Sequence, residues 1–174
     1  MIEPLASAAR MEYRPELLSR RGEYIAWGTA LLVIAAWLVM YLTRTPVFGG
    51  LRFLAILLAL CGMAISLGNW MDRRTILRLE PDGVWFDNGL RQVSLHWSEI
   101  RQVQVYPSAW GKKVRVIGEK AHFDFRTLGE VILQGEVKGR MGFEKGDEIL
   151  AHILENTRLK QVPGPDNGSY YARE

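Results

Sequence analysis

The segment Tyr106-Pro-Ser-Ala-Trp110-Gly111-Lys112-Lys113-Val-Arg115 holds the side chains best suited to meet a charged surface. An indole beside paired lysines and an arginine is a pattern that engages anionic lipid. The ring enters the headgroup layer, and each basic group adds about 1 kcal/mol near a negative surface. Trp110, Lys112, Lys113 and Arg115 are therefore candidate lipid or partner contacts, against the plainer reading of a solvated hairpin tip with one packed Trp. A second set, Gly62, Ala64, Ser66 and Gly68, lies in an apolar run and offers a small-residue face against which another helix packs closely. Catalytic chemistry has no comparable signature. Gly-x-Gly-x-x-Gly, a phosphate loop, His-Glu-x-x-His and Gly-x-Ser-x-Gly do not occur. His96, His122 and His152 fall on separate elements, the first two on outward strand faces and the third on the exposed side of a helix, without the convergence a metal needs. The single cysteine, Cys61, has no partner for a disulfide or a thiolate site within the chain. No enzyme, metal or cofactor is expected.

These residues sit in a chain of 174 with a net charge of +3, too small an excess to argue for nucleic acid. Hydrophobic residues make up 48% and charged residues 24%, which excludes disorder along the whole length. They are sharply partitioned. Residues 24–43 and 53–71 contain no Asp, Glu, Lys or Arg. At about 1.5 Å per residue, either run crosses a hydrocarbon layer roughly 30 Å thick. Trp27, Trp37, Tyr24 and Tyr41 stand toward the ends of the first run, and Trp70 closes the second. The spacing predicts transmembrane helices over 24–43 and 53–71, joined by a short loop, 44–52, that contains Pro46, Gly49 and Gly50. The alternative of a water-soluble hairpin fails because the remaining residues are too few to bury two such helices. Ser19-Arg20-Arg21 resembles a twin-arginine export signal, but the apolar run behind it is too long, and no small-residue cleavage site follows.

Basic residues number four on the N-terminal side (Arg10, Arg14, Arg20, Arg21), three after the second run (Arg73, Arg74, Arg78) and two in the loop (Arg44, Arg52). The positive-inside rule then places both termini in the cytoplasm. Residues 1–23 form an N-terminal cytoplasmic tail, in which Pro15-Glu16-Leu17-Leu18 opens a short amphipathic helix or is merely solvated. No intramembrane ionisable residue marks an ion or proton route.

From Arg74 the pattern alternates. Thr75–Glu80, Val84–Phe86, Arg91–Trp97, Ile100–Tyr106, Val114–Ile117 and Ala121–Arg126 read as strands, separated by Pro81-Asp82-Gly83, Asp87-Asn88-Gly89, Pro107-Ser108 and Gly118. Residues 130–143 add one or two more, with Gly135 and Gly139 marking a bulge or turn. Gly146-Asp147-Glu148 opens a helix striped by Ile149, Leu150, Ile153 and Leu154 that ends near Lys160. Residues 161–174, after a Pro163-Gly164-Pro165 stop, read as a flexible tail. The sum is a small all-β domain over 74–160, a partly open barrel of about seven strands capped by a C-terminal α-helix.

Ile76-Leu-Arg-Leu-Glu-Pro-Asp-Gly83-Val84 followed by Leu95-His-Trp97-Ser98-Glu99-Ile100-Arg-Gln-Val103 resembles the bacterial pleckstrin-homology (PH-like) domains. In these, an Asp-Gly turn precedes a Trp-x-Glu-Ile-x-x-Val segment, and a helix closes the barrel. Such domains are often joined to two or more membrane helices, and the likeness implies a fold more than an activity. In PH domains that bind phosphoinositides, basic residues surround the first strand pair, whereas Glu80-Pro81-Asp82-Gly83 is acidic here. The resemblance and the apolar runs together lead to a non-enzymatic, multi-pass protein of the bacterial cytoplasmic (inner) membrane. Its expected partners are the lipid bilayer and other integral membrane subunits of a complex that it helps assemble. The alternatives are a lipid-sensing module working through the Trp/Lys tip and, third, an edge-strand receptor for peptides.

Overall fold

The computed structural model describes residues 11–46, 48–133, 135–164 and 167–173. The chain divides into two compact units. Residues 19–71 form one, and the stretch through Leu18 together with Asp72–Glu174 forms the other.

In the helical unit, α1 spans Arg21–Leu42 and α2 runs from Gly49 to Arg74. Both outrun the uncharged segments, because Arg21, Glu23, Arg52, Arg73 and Arg74 are good helix formers and Asp72 costs less than about 1 kcal/mol in a helix. Hydropathy marks where lipid-compatible side chains stop and does not mark where backbone hydrogen bonding stops. Glu23 lies in the first turn of α1, where the helix dipole favours an anion. At the far end the Thr43 hydroxyl donates back to the Val39 carbonyl at 2.9 Å, Arg44 turns left-handed at φ 53°, and the Thr45 N–H bonds the Met40 carbonyl at 3.0 Å.

The helices pack antiparallel along a narrow seam in which Ala30, Ala55 and Gly62 are buried. Other apolar side chains point away, with Leu32 73% and Phe53 69% exposed. A hairpin built as the core of a water-soluble unit would bury these, so its outer face is made for an apolar surrounding. Both helices are long and apolar enough to cross a membrane, which points to membrane association.

The second unit is built on antiparallel strands. They are β1 (Met11–Tyr13), β2 (Ile76–Glu80), β3 (Gly83–Asp87), β4 (Gln92–His96), β5 (Ile100–Tyr106), β6 (Lys113–Gly118), β7 (His122–Arg126), β8 (Gly129–Leu133) and β9 (Glu136–Met141). Then come α3 (Gly146–Thr157), β10 (Lys160–Val162) and β11 (Ser169–Ala172). Strands β1-β2-β3-β4 form one sheet, β10-β11-β5-β6-β7 a second, and β8-β9 a separate hairpin. The two larger sheets share one core. Leu77, Leu79, Phe86 and Leu95 come from the first, and Val103, Val116, Phe123 and Phe125 from the second. Phe86 of β3 stacks on Phe123 of β7 at 5.0 Å between ring centroids. Ile149 and Ile153 bring the buried stripe of α3 into the same cluster, as the spacing predicts. Among the described residues the strands form separate ladders and no closed barrel.

The residues behind the family resemblance have a local structural task. The Trp97 indole N–H donates to the Pro81 carbonyl at 3.0 Å, and the His96 N–H donates to the Glu99 carboxylate at 2.9 Å. Together they fix the Asp82-Gly83 turn to the short 3-10 turn Trp97–Glu99 that leads into β5.

Several expectations are corrected. Part of the N-terminal stretch is a strand, since Met11-Glu-Tyr13 alternates and completes the edge of β2, with Glu12 paired to Arg78 at 2.8 Å. Pro15–Leu18 forms no helix; the Glu16 N–H bonds the Gly142 carbonyl at 2.7 Å, and Leu18 lies over Gly139. Residues 1–10 of the expected tail lie outside the described residues. At the other end, β10 and β11 replace a flexible tail, and β11 pairs with β5 from Ser169↔Val105 to Ala172↔Gln102. Tyr170 anchors that strand by burying its ring edge-on against Tyr106 at 5.8 Å. Helix α3 stops at Thr157, before Lys160, because Arg158 turns left-handed at φ 51°. Gly135, at φ 81°, makes the β8–β9 turn, and Gly139 borders a register shift.

Candidate functional site

The tip between β5 and β6 is held by backbone. Gly111 adopts φ 79°, and a Cβ there would stand 2.3 Å from the Thr127 carbonyl oxygen. The Lys112 N–H donates to the Thr127 hydroxyl at 3.0 Å, and the Thr127 N–H returns to the Lys112 carbonyl at 3.0 Å. Trp110 is therefore displayed, 51% exposed, on a clamped loop. Its basic neighbours are engaged within the unit. Lys112 Nζ meets Asp147 Oδ1 of α3 at 2.9 Å, and Lys113 Nζ meets Asp124 Oδ2 at 3.1 Å. Arg115 grips both oxygens of Asp124, through Nε at 2.9 Å and a terminal nitrogen at 3.1 Å. Partial burial pushes the Asp124 carboxyl up, but the hydrogen bonds and charges of Arg115 and Lys113 outweigh it and hold the carboxyl below its ordinary range. Three cations thus face two carboxylates, so the basic groups beside the exposed ring are largely offset by ion pairs within the unit.

The small-residue face separates into two sides. Gly62 and Ser66 turn toward α1: a Cβ on Gly62 would stand 3.2 Å from the Trp27 ring, and Ser66 accepts the Trp27 indole N–H at 2.8 Å. Ala64 and Gly68 face outward, with nothing within 4 Å of a Cβ on Gly68.

Between the helices the inward side continues into a polar cluster absent from the sequence reading. Ser66 donates to Glu23 Oε1 at 2.9 Å, the Asn69 amide donates to Glu23 Oε2 at 2.8 Å, and Arg20 Nε lies 3.9 Å from the same oxygen. The Glu23 side chain is only 17% exposed and that of Arg20 45%. The cluster floors an open groove of about 460 Å³, with Trp27 and Trp70 beside it and Met63 and Leu67 on the apolar side. A sequence signal existed. Glu23 and Trp27 are four residues apart, Ser66 and Asn69 three apart, and an antiparallel hairpin brings these pairs to the same level. Glu23 lies one residue outside the uncharged run, which is why a search for charges inside the run passes over it. Farther along α1, the buried Trp37 indole N–H has no hydrogen-bond acceptor among the described residues.

Of the histidines, His96 lies 3.5 Å from Asp82 and His122 is exposed. His152, expected on the exposed side of its helix, is half-buried with its ring edge-on to Trp97 at 5.9 Å, since it shares the side of α3 that faces the 3-10 turn. Among the described residues no group of three or more His, Cys, Asp or Glu is placed to hold a metal ion.

No protein family, curated protein or solved structure matches the chain.

Proposed function

We propose that this chain is a non-enzymatic, two-span protein of a bacterial cytoplasmic membrane that carries a PH-like interaction domain on the cytoplasmic side. It acts as an accessory or assembly subunit of a larger membrane complex. The observation that carries the reading is the contrast between the units. The β unit closes its own core, whereas the helix pair buries only a seam and turns large apolar side chains outward. An anchor joined to a self-sufficient binding scaffold follows from that contrast. Two antiparallel sheets around one core, the Trp97–Glu99 device and the docked α3 support the PH-like assignment. The excess of Arg on the two flanks supports cytoplasmic termini.

Alkaline carbonate washing should leave the chain in the membrane pellet, and gentle detergent extraction should recover it with other integral subunits. A chain always found alone at monomer mass refutes the accessory role. The lipid-sensing alternative retains the exposed Trp110, but Lys112, Lys113 and Arg115 are each held by a carboxylate of the β unit. Flotation with anionic liposomes, compared between wild type and Lys112→Ala/Lys113→Ala, separates the two readings.

A further inference from the structure

We propose that the groove at the Arg20/Glu23 end of the helix pair is a binding site for a phospholipid headgroup bearing a primary ammonium, of phosphatidylethanolamine type. This rests on the reading that both helices span the bilayer. Glu23 stands in the first turn of α1 and Asn69 near the C-terminal end of α2, so the groove opens at headgroup depth. Ser66 and Asn69 fix the carboxylate in place, and it is largely withdrawn from water. There it acts as an oriented acceptor for a cation. Arg20 is its loose partner at 3.9 Å and nearly half exposed, so it can swing to a phosphate oxygen as an ammonium takes its place.

The result is a positive and a negative group side by side, matched to a headgroup whose phosphate and ammonium are joined by two carbons. Trp27 and Trp70 flank the site with rings that favour a cation and the interfacial layer. Met63 and Leu67 lie farther back along α2, toward the bilayer interior, where the acyl chain begins. A glycerol headgroup offers Glu23 no cation. A choline headgroup offers one that cannot donate a hydrogen bond. The site therefore selects by charge and by donor capacity.

The test is native mass spectrometry of the full chain in detergent, titrated with phosphatidylethanolamine, phosphatidylcholine and phosphatidylglycerol of identical acyl chains. Expected is roughly tenfold tighter retention of the ethanolamine lipid, in line with one hydrogen bond to a charged group. Glu23→Gln should abolish that preference, and Arg20→Ala should weaken all three lipids together. Circular dichroism confirms that each variant keeps its helices, and the wild-type comparison stands even if a variant fails to fold. Equal retention of the three lipids, or a preference for the glycerol lipid, overturns the proposal. So does a preference unchanged by Glu23→Gln, which would place the lipid elsewhere. Soluble glycerophosphoethanolamine binding as tightly as the lipid would overturn the membrane as the source. Retention of a co-purifying protein that the ethanolamine lipid cannot displace would show a partner helix in the groove instead. Release by carbonate would defeat the two-span reading itself, whereas an anchored chain without headgroup preference defeats only this inference.

Discussion

Replacing Ser66 with Ala should loosen the helix pair by removing two interhelical hydrogen bonds at once. Ser66 Oγ accepts the Trp27 indole N–H at 2.8 Å and donates to Glu23 at 2.9 Å, so one oxygen joins two residues of α1 to α2. Interhelical hydrogen bonds in lipid are worth about 0.6 kcal/mol on average and about 1.7 at most. Losing two therefore predicts a loss of about 1–3 kcal/mol. The lower half of that range is expected, because the groove is open and Glu23 keeps its 2.8 Å bond from Asn69. The assay is reversible unfolding of the full chain in mixed detergent, with Ser66→Ala and Trp27→Phe measured singly and together. The double variant should show a coupling of about 0.5–1.5 kcal/mol, since each single change already breaks the shared bond. Strict additivity, within about 0.3 kcal/mol, would mean that the contact carries no energy and would refute the polar cluster as a lock.

The two sides of α2 should respond oppositely to added methyl groups. Gly62→Ala forces its Cβ against a Trp27 ring that Ser66 holds in place and should cost about 1–3 kcal/mol, whereas Gly68→Ala meets open space and should gain up to about 1 kcal/mol; unfolding of the same preparations checks both. Gly111→Ala should destabilise the β unit by about 2–4 kcal/mol, because it combines a left-handed backbone with a 2.3 Å approach to a carbonyl oxygen, while Trp110→Ser, at an exposed site, should stay within about 0.5 kcal/mol; thermal melts distinguish them. Asp124 has a carboxyl pKa lowered on folding, so its contribution is present above the ordinary value near about 4 and is lost as pH falls through the lower folded value. The stability gap between wild type and Asp124→Asn should accordingly be constant from neutral pH to about 5 and shrink below about 4, as read by melts across that range.

Signals of short range were legible in the sequence. The apolar runs located both long helices, and alternation with Asp-Gly and Asn-Gly turns located β2 to β7. The Ile149/Ile153 stripe gave the packed side of α3. What escaped depends on distant partners. Met11–Tyr13 is too short to read as a strand until the open edge of β2 lies beside it, and Ser169–Ala172 becomes a strand only because β5 offers an unpaired edge. The tip was legible as a set of residue types but not as a charge state. Asp124 comes from the neighbouring strand β7 and Asp147 from α3, and neither lies near enough in sequence to be read as the partner of a lysine in the tip. The Glu23 cluster escaped for a related reason, since Ser66 and Asn69 are more than forty residues away.

Those ion pairs also decide how strongly the tip can respond to an anionic surface. Freeing Lys112, Lys113 and Arg115 for lipid would gain about 1 kcal/mol each, but it would break pairs that contribute up to about 1 kcal/mol apiece at half-exposed sites. It would also leave Asp124 and Asp147 as bare carboxylates facing like charge. Gain and loss nearly cancel, so the cations mainly hold β6 to β7 and the tip to α3. In the helix pair the balance runs the other way. Arg20 and Glu23 are loosely matched at 3.9 Å, and exchanging that contact for a headgroup with both charges leaves neither side uncompensated. On the proposed headgroup reading, lipid selectivity would therefore be set by the helix pair and not by the tip.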